Sequence, residues 1–302
     1  MPSPKGPRTP AARGSEATVT IAAAVEACRR RLLPVATAPW LEARLLTSHV
    51  TGLDASAIVA YGDNILEPAR LQRLADLTAR RLAGEPLAYI VGFKEFCGLR
   101  IMVDGRVLVP RPETEELVHA IVADWRGRAP HVLDLGTGSG AISCALARFL
   151  PNAHILATDI SEQALDVART NVERHLFGER IHLAHGDLFD AVPPGTTFDV
   201  IAANLPYVRD GDVDLEPTVR ANEPHVALFG GRDGLDVFRR VVDRAGAYMK
   251  PDGALYCECS PDNAYELAGL ARDAIQDSSI SVRADVSGRE RFVVVRRTAS
   301  NS

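Results

Sequence analysis

Residues 131–143 read H-V-L-D-L-G-T-G-S-G-A-I-S, a short apolar run followed by three glycines at alternate positions. Strand, glycine turn and helix in succession bring backbone N–H groups close to a nucleotide-like ligand at a helix start, because glycine has no Cβ to obstruct the approach. The spacing of Gly136, Gly138 and Gly140 is Gly-x-Gly-x-Gly, not the Gly-x-Gly-x-x-Gly of dinucleotide binders. Asp134 stands just before the first glycine. Asp159 ends the next apolar run, about twenty residues after the loop, where a ribose-binding carboxylate is expected. Asp187 follows a third run. A fourth run, Phe198 to Ala203, ends in Asn204-Leu205-Pro206-Tyr207. The Asn204 amide both donates and accepts hydrogen bonds. Tyr207 offers a flat face, and Pro206 fixes the backbone between them. A planar target bearing NH₂, a carboxamide or an aminopurine edge, fits such a tetrapeptide. Plainer readings stand beside these: a tight strand-to-helix turn with solvated acids, and an ordinary strand-end turn. Three acids at successive strand ends weigh towards a cofactor site.

The elements that would position these residues follow from apolar periodicity. Strands are expected at Val132–Leu135, Ile155–Thr158, Ile181–Ala184, Val200–Ala203 and Ala254–Glu258, with a final pair near Ile280–Ala284 and Arg291–Val295. Helices are expected between them at Ala141–Leu150, Glu162–His175, Gly234–Tyr248 and Asn263–Ile275. This alternation predicts an α/β fold with a mostly parallel sheet, helices on both faces and one antiparallel edge strand. In such a sheet the carboxyl ends of the strands form the ligand crevice, so the glycine loop and the tetrapeptide should meet. Glycine loop and acids in this order resemble the S-adenosylmethionine site of class I, Rossmann-like methyltransferases.

Four regions are expected. Residues 1–17 carry four prolines and several basic residues without an apolar segment, and read as a disordered tail. Residues 18–84 read as a small helical domain. Asp54 is placed to cap a short helix over Ala55–Ala60, and Pro68 to open another that runs to Leu82. Residues 85–110 read as a linker with a β-hairpin, its turn placed at Asp104-Gly105. Residues 111–297 form the α/β domain, opened by a helix with acids in its first turn.

Composition narrows the function. The chain has 302 residues, 46% hydrophobic and 24% charged, ordinary for a globular protein. A net charge of −5 argues against a protein whose main affinity is for nucleic-acid phosphates. No apolar run is long enough to span a bilayer, so no membrane partner is expected. The five cysteines form no Cys-x-x-Cys pair and read as reduced thiols of a cytoplasmic protein. The eight histidines show no metal-ligand spacing, and no metal is expected.

Taken together, G-E-P-L-A-Y-I-V-G (84–92), V-L-V-P-R-P-E-T-E (107–115), V-L-D-L-G-T-G-S-G-A-I (132–142) and N-L-P-Y-V (204–208) resemble the release factor glutamine methyltransferase family. The run A-L-F-G-G-R-D-G-L-D-V-F-R-R (227–240), Glu223-Pro224 upstream of it, and D-V-S-G-R-E-R (285–291) are also similar to that family. The resemblance covers about residues 20 to 297. It implies methyl transfer from S-adenosylmethionine to the side-chain nitrogen of the glutamine in the Gly-Gly-Gln loop of peptide chain release factors. It implies a helical N-terminal domain that grips the protein substrate; a monomer is expected.

Carried over residue by residue, Gly136, Thr137, Gly138, Ser139 and Gly140 would wrap the methionine end of the cofactor. Asp159 would hold the ribose hydroxyls, and Asp187 with Leu188 would contact the adenine. Asn204, with Leu205, Pro206 and Tyr207, would receive the target amide, and Asn204 would also border the cofactor. A carboxamide nitrogen is a poor nucleophile, so the site's task is to orient it by hydrogen bonds from both N–H groups. No strong base is required, because the proton becomes acidic only as the methyl arrives. The sequence departs from the family at two places: Leu205 stands where the family has proline, and Cys259-Ser260 follows Glu258 where it has a glycine. Two other classes stay open on sequence alone, an adenine amino-methyltransferase and a binding protein that kept the fold.

Overall fold

The computed structural model describes residues 18–298, so the tail expected over 1–17 lies outside the described residues. The described residues divide into two compact units, one up to Gly84 and one from Glu85.

The first unit is helical: α1 (Ile21–Leu32), α2 (Pro39–Thr51), α3 (Ala55–Ala60) and α4 (Pro68–Leu82). Side-chain caps begin two of them, since Thr20 accepts from Ala23 N–H and Asp54 from Ala57 N–H, satisfying donors that a helix start leaves free. Ile21, Val25, Leu32, Leu46, Leu74 and Leu77 close its apolar interior. Inside it Arg81 pairs with Glu42 at 2.8 Å.

The second unit begins with a short helix α5 (Leu87–Val91) and the hairpin β1 (Phe93–Phe96) and β2 (Leu99–Met102). Its turn is not at Asp104-Gly105 as expected. The register Phe96↔Leu99 puts it at Cys97-Gly98, with φ of +49° and +69° at the two turn residues. Two positive φ values are what a two-residue turn needs to match strand twist. The cysteine in the first turn position conceals that signal, whereas Asp104-Gly105 turns the chain locally and Arg106 does not run back along β2.

Then follow α6 (Pro112–Trp125), β3 (His131–Leu135), α7 (Ala141–Phe149), β4 (His154–Asp159), α8 (Glu162–Arg174), β5 (Ile181–His185) and β6 (Phe198–Asn204). The chain continues through α9 (Pro217–Asn222), α10 (Asp236–Tyr248), β7 (Met249–Glu258), α11 (Ala264–Ala274), β8 (Ser278–Ala284) and β9 (Glu290–Arg297). Among the described residues, seven strands form one sheet in the order β5-β4-β3-β6-β7-β9-β8, and the first five are parallel.

The antiparallel strand is β9, and it is not the edge strand. It lies between β7 and β8, antiparallel to both, and leaves β8 at the margin. Burial explains the order: Phe292 to Val295 are apolar on both faces and need cover, while β8 alternates half-buried and exposed positions.

Alternation along the strands divides the interior. Val132, Ala157, Val200, Ala202 and Tyr256 face one cluster, with α6 and α7. Leu133, Leu135, Ile201, Ala203 and Leu255 face the other, with α10 and α11. The central strands β3, β6, β7 and β9 are therefore buried on both faces, which fixes the height of their ends.

Candidate active site

The sheet order reverses at β3: the chain runs outward through β4 and β5, then crosses back to add β6 and β7 on the other side. The crevice outside the strand ends at such a reversal is where open α/β sheets bind ligands. A cavity of about 330 Å³ occupies that place.

The glycine turn forms its floor. Gly136 and Gly138 have φ of +67° and +55°. At Gly138 an added Cβ would meet nothing within 4 Å, while at Gly136 it would fall 2.8 Å from Leu205 Cδ2. The turn is tied to its neighbours, since Thr137 N–H donates to the Thr158 carbonyl and Gly138 N–H to Asp159 Oδ2, the latter at 2.8 Å. The other Asp159 oxygen accepts from Ser161 N–H at 2.9 Å. Burial pushes the Asp159 carboxyl up, and these two backbone donors pull it back.

Beneath the turn, Asp134 is fully buried and accepts from the hydroxyls of Thr137 and Ser143, at 2.8 and 2.6 Å. Burial raises its pKa to about 6 against the pull of those hydroxyls. It thus joins the turn to the first turn of α7. Asn171 of α8, also fully buried, donates to the carbonyls of Ser139 and Met102 and accepts from Met102 N–H, so it clamps the loop to β2.

Of the residues expected at the site, Gly136, Thr137, Gly138, Ser139, Asp159, Asp187, Leu188, Asn204, Leu205 and Pro206 line this one cavity. Gly140 and Tyr207 do not. Gly140 caps α7, and a Cβ there would press on Ala168 of α8 at 3.2 Å, so its bareness serves helix packing. Tyr207 packs on the apolar cluster of Leu133 and Leu255; burial raises its phenol, and the nearby Glu258 raises it further. Asp187 is paired with Arg240 at 2.6 Å. Leu188 holds φ of +52°, a left-handed geometry costing a leucine about 1–2 kcal/mol, on the cavity wall.

Several residues of the site were given no role in the sequence reading. Asn204 Nδ2 donates to Thr114 Oγ1 at 2.9 Å, and Thr114 is buried in the first turn of α6. Glu258 ends β7 in direct register with Asn204 at the end of β6. Burial raises its pKa to about 7, and hydrogen bonding with Thr114 acts to lower it. Arg111 pairs with the buried Glu223 at 2.6 Å, and the other Glu223 oxygen accepts from Val109 N–H at 3.1 Å. The loop after β6 is thereby fastened to the entry of α6. Gly230 and Gly234 back the tetrapeptide: Cβ atoms there would lie 2.3 Å from the Pro206 and Tyr207 carbonyl oxygens respectively. Glu258 had a readable signal, an acid at a strand's carboxyl end like Asp134 and Asp159. Thr114 had none beyond its place in the P-R-P-E-T-E run.

Chemically the wall joins an open glycine turn, two carboxylates and an amide. That set suits a ligand with a flat base and a vicinal diol on the Asp159 side, and a planar NH₂ group at Asn204. Among the described residues no cluster of His, Cys, Asp and Glu could hold a metal ion, and no helix is long and apolar enough to cross a membrane.

Comparison with known proteins follows the same division. Residues 24–92 match the family described as PrmC N-terminal domain, and residues 113–221 match the methyltransferase small domain. A release factor glutamine methyltransferase of Rhodopirellula baltica is 38% identical over 86% of this chain and 90% of its own length. One from Deinococcus radiodurans is 41% identical over 86% of this chain and 91% of its own. Among solved structures, a methyltransferase from Pyrococcus furiosus superposes with a TM-score of 0.52 at 20% identity, covering 74% of this chain and 99% of that one. That last likeness bears on the fold alone.

Proposed function

The chain belongs to the release factor glutamine methyltransferase family, and from that premise we propose that it methylates the N5 amide nitrogen of the glutamine in the Gly-Gly-Gln loop of a peptide chain release factor, with S-adenosylmethionine as donor. The observation that carries this reading is the contact of Leu205 with Gly136, which sets a carboxamide-binding tetrapeptide directly against a nucleotide-type glycine turn.

The cavity fits the donor. Gly138 leaves open space over the turn, and Asp159 retains acceptor capacity beyond its two backbone bonds, enough for a ribose diol. Gly136 to Gly140 would hold the amino-acid end, with Gly140 acting through its cap of α7, and Asp187 and Leu188 the adenine side. When bound, S-adenosylmethionine supplies an electrophilic sulfonium methyl group.

This chain's own part is orientation. Asn204 Oδ1 accepts one N–H of the target amide. The Pro206 carbonyl is packed against Gly230, so the Leu205 carbonyl serves as the second acceptor. Pro206 fixes the direction of the tetrapeptide, and Tyr207 stiffens it from the apolar side. Two acceptors pin the nitrogen in the attacking direction and stabilise the positive charge that grows on it. The N–H proton leaves as that charge develops, so no buried base is needed.

The helical first unit, in this reading, binds the body of the release factor, and the enzyme works as a monomer in the cytoplasm. The test is incubation with labelled S-adenosylmethionine and purified release factor, then mass spectrometry of the Gly-Gly-Gln peptide. One added methyl on the glutamine is expected. Cofactor binding with that glutamine unmodified would reject the reading, and label on adenine or on another protein would point to a different target.

A further inference from the structure

Two arginines of α10 grip the segment that follows β5. Arg240 Nη2 donates to Asp187 Oδ2 at 2.6 Å. One helical turn on, Arg244 Nη1 donates to Asp190 Oδ1 at 2.7 Å. A further turn on, Tyr248 stacks on the buried Phe189, with ring centroids 4.4 Å apart and planes at 15°. Positions 240, 244 and 248 share one helix face, so α10 meets residues 187–190 at three levels. That segment is pinned from its other side as well: Gly186 N–H donates to the Asp159 carbonyl at 3.0 Å, and a Cβ on Gly186 would come within 2.8 Å of Ala191 Cβ. The three levels differ in place. Asp187 and Arg240 line the cavity; Asp190, Arg244 and Tyr248 do not. Asp187 precedes the 3-10 turn Leu188–Ala191 without capping it, and its Oδ1 accepts no hydrogen bond among the described residues.

From this arrangement we infer that Arg240 is a positioning residue: it holds the Asp187 side chain in one orientation and so makes the site select a 6-aminopurine over a 6-oxopurine. Asp187 is partly exposed, and without a partner its side chain is free to turn to water. Arg240 occupies Oδ2 and leaves Oδ1 as the one acceptor on offer to a ligand in the cavity. Paired with a guanidinium, the carboxylate accepts and does not donate. Adenine carries an NH₂ group at its 6-position and satisfies that acceptor. Hypoxanthine carries a carbonyl oxygen there, and two acceptors would face each other with no proton between them. A carboxylate that swings freely escapes the second encounter and gains little from the first. A site built to accept an N–H rejects the analogue lacking it far more strongly than an apolar pocket could, provided that the acceptor stays where it is. Arg244 and Tyr248 hold α10 against the segment and thereby fix where Arg240 stands.

This inference rests on Asp187 standing at the adenine of S-adenosylmethionine, and the test separates the two. The full chain is titrated calorimetrically with S-adenosylhomocysteine and with S-inosylhomocysteine, its 6-oxo counterpart. No release factor enters the measurement, so the result is independent of which target is methylated. The wild type should bind the adenosyl compound at least about 10-fold more tightly, and Asp187→Asn should lose most of that preference. If neither compound binds, or if Asp187→Asn keeps the preference, the placing of the adenine fails and the role of Arg240 falls with it. Arg240→Ala should weaken the adenosyl compound by roughly 3- to 10-fold, leave the inosyl compound within about 2-fold, and narrow the preference accordingly. Arg244→Ala removes the neighbouring contact outside the cavity and should leave the ratio within about 2-fold of wild type. The role of Arg240 is overturned if Arg240→Ala keeps the wild-type ratio, or if it raises the ratio, which would show that the guanidinium itself meets the base. It is overturned equally if Arg244→Ala narrows the ratio as much, since the pairs would then only fasten the wall.

Discussion

Leu205 rests on Gly136: a Cβ built on the glycine would come within 2.8 Å of Leu205 Cδ2. The start of the glycine turn and the second residue of the Asn204–Tyr207 tetrapeptide thus share one surface. Space at either residue is coupled to the other, which leads to the first prediction.

Gly136→Ala should destabilise the protein by about 1–3 kcal/mol, from the positive φ and the new clash together. It should also weaken S-adenosylmethionine binding. Adding Leu205→Ala removes the clash and not the φ penalty, so the double variant should recover part of the loss. Urea unfolding and calorimetric titration of the four proteins check this; strictly additive effects would show that the contact is not felt.

Asn204→Ala should remove the acceptor for the target amide and lower kcat by about 10²- to 10³-fold, the range for losing one transition-state hydrogen bond. Cofactor affinity should change little. Single-turnover methyl transfer with a parallel binding titration reads both, and near-normal turnover in the variant would exclude the role given to Asn204.

Arg111→Ala should destabilise by about 3–5 kcal/mol, because it strands the buried Glu223 carboxylate. Arg111→Ala with Glu223→Gln should be milder than Arg111→Ala alone, since no lone charge remains. The same denaturation curves measure it, and equal stability of the two would mean that Glu223 is solvated.

Glu258 predicts a pH dependence. Its folded pKa, about 7, lies above the ordinary carboxyl value of 4.5, so the folded state holds the proton more tightly than the unfolded chain. The stabilisation this gives is fully present below the unfolded value and is lost as pH rises through the folded one. Relative to Glu258→Gln, the wild type should lose roughly 3 kcal/mol between about pH 4 and about pH 8. Arg111 and Glu113 at the start of α6, Arg291 on β9 and Tyr207 after β6 share its surroundings and are common to both proteins. Parallel stability profiles would contradict the assignment.

Much of this was legible in the chain because strands buried on both faces read as unbroken apolar runs. The glycine turn, Asp159 and the Asn204 tetrapeptide lie at the ends of such runs, so their convergence followed from topology. Three things escaped. The turn at Cys97-Gly98 lacks the residues that usually announce it. The place of β9 depends on which strand needs cover on both faces, and pairwise alternation does not state that. Thr114 and Glu258 flank Asn204 from positions 144 residues apart in sequence, as the difference of their numbers shows. Neither carries a motif that marks it alone.

The seating of β9 between β7 and β8 also bears on how the molecule is born. As the chain leaves the ribosome, β7 emerges with one flank bare, and β8 cannot cover it directly. Only residues 290–297 close that gap, and Phe292 is the partner of Glu258 itself. A nascent chain stalled before this segment would carry an open, apolar strand edge, ready to pair with a stranger. Residues 290–297 therefore cover the β7 edge that would otherwise invite aggregation.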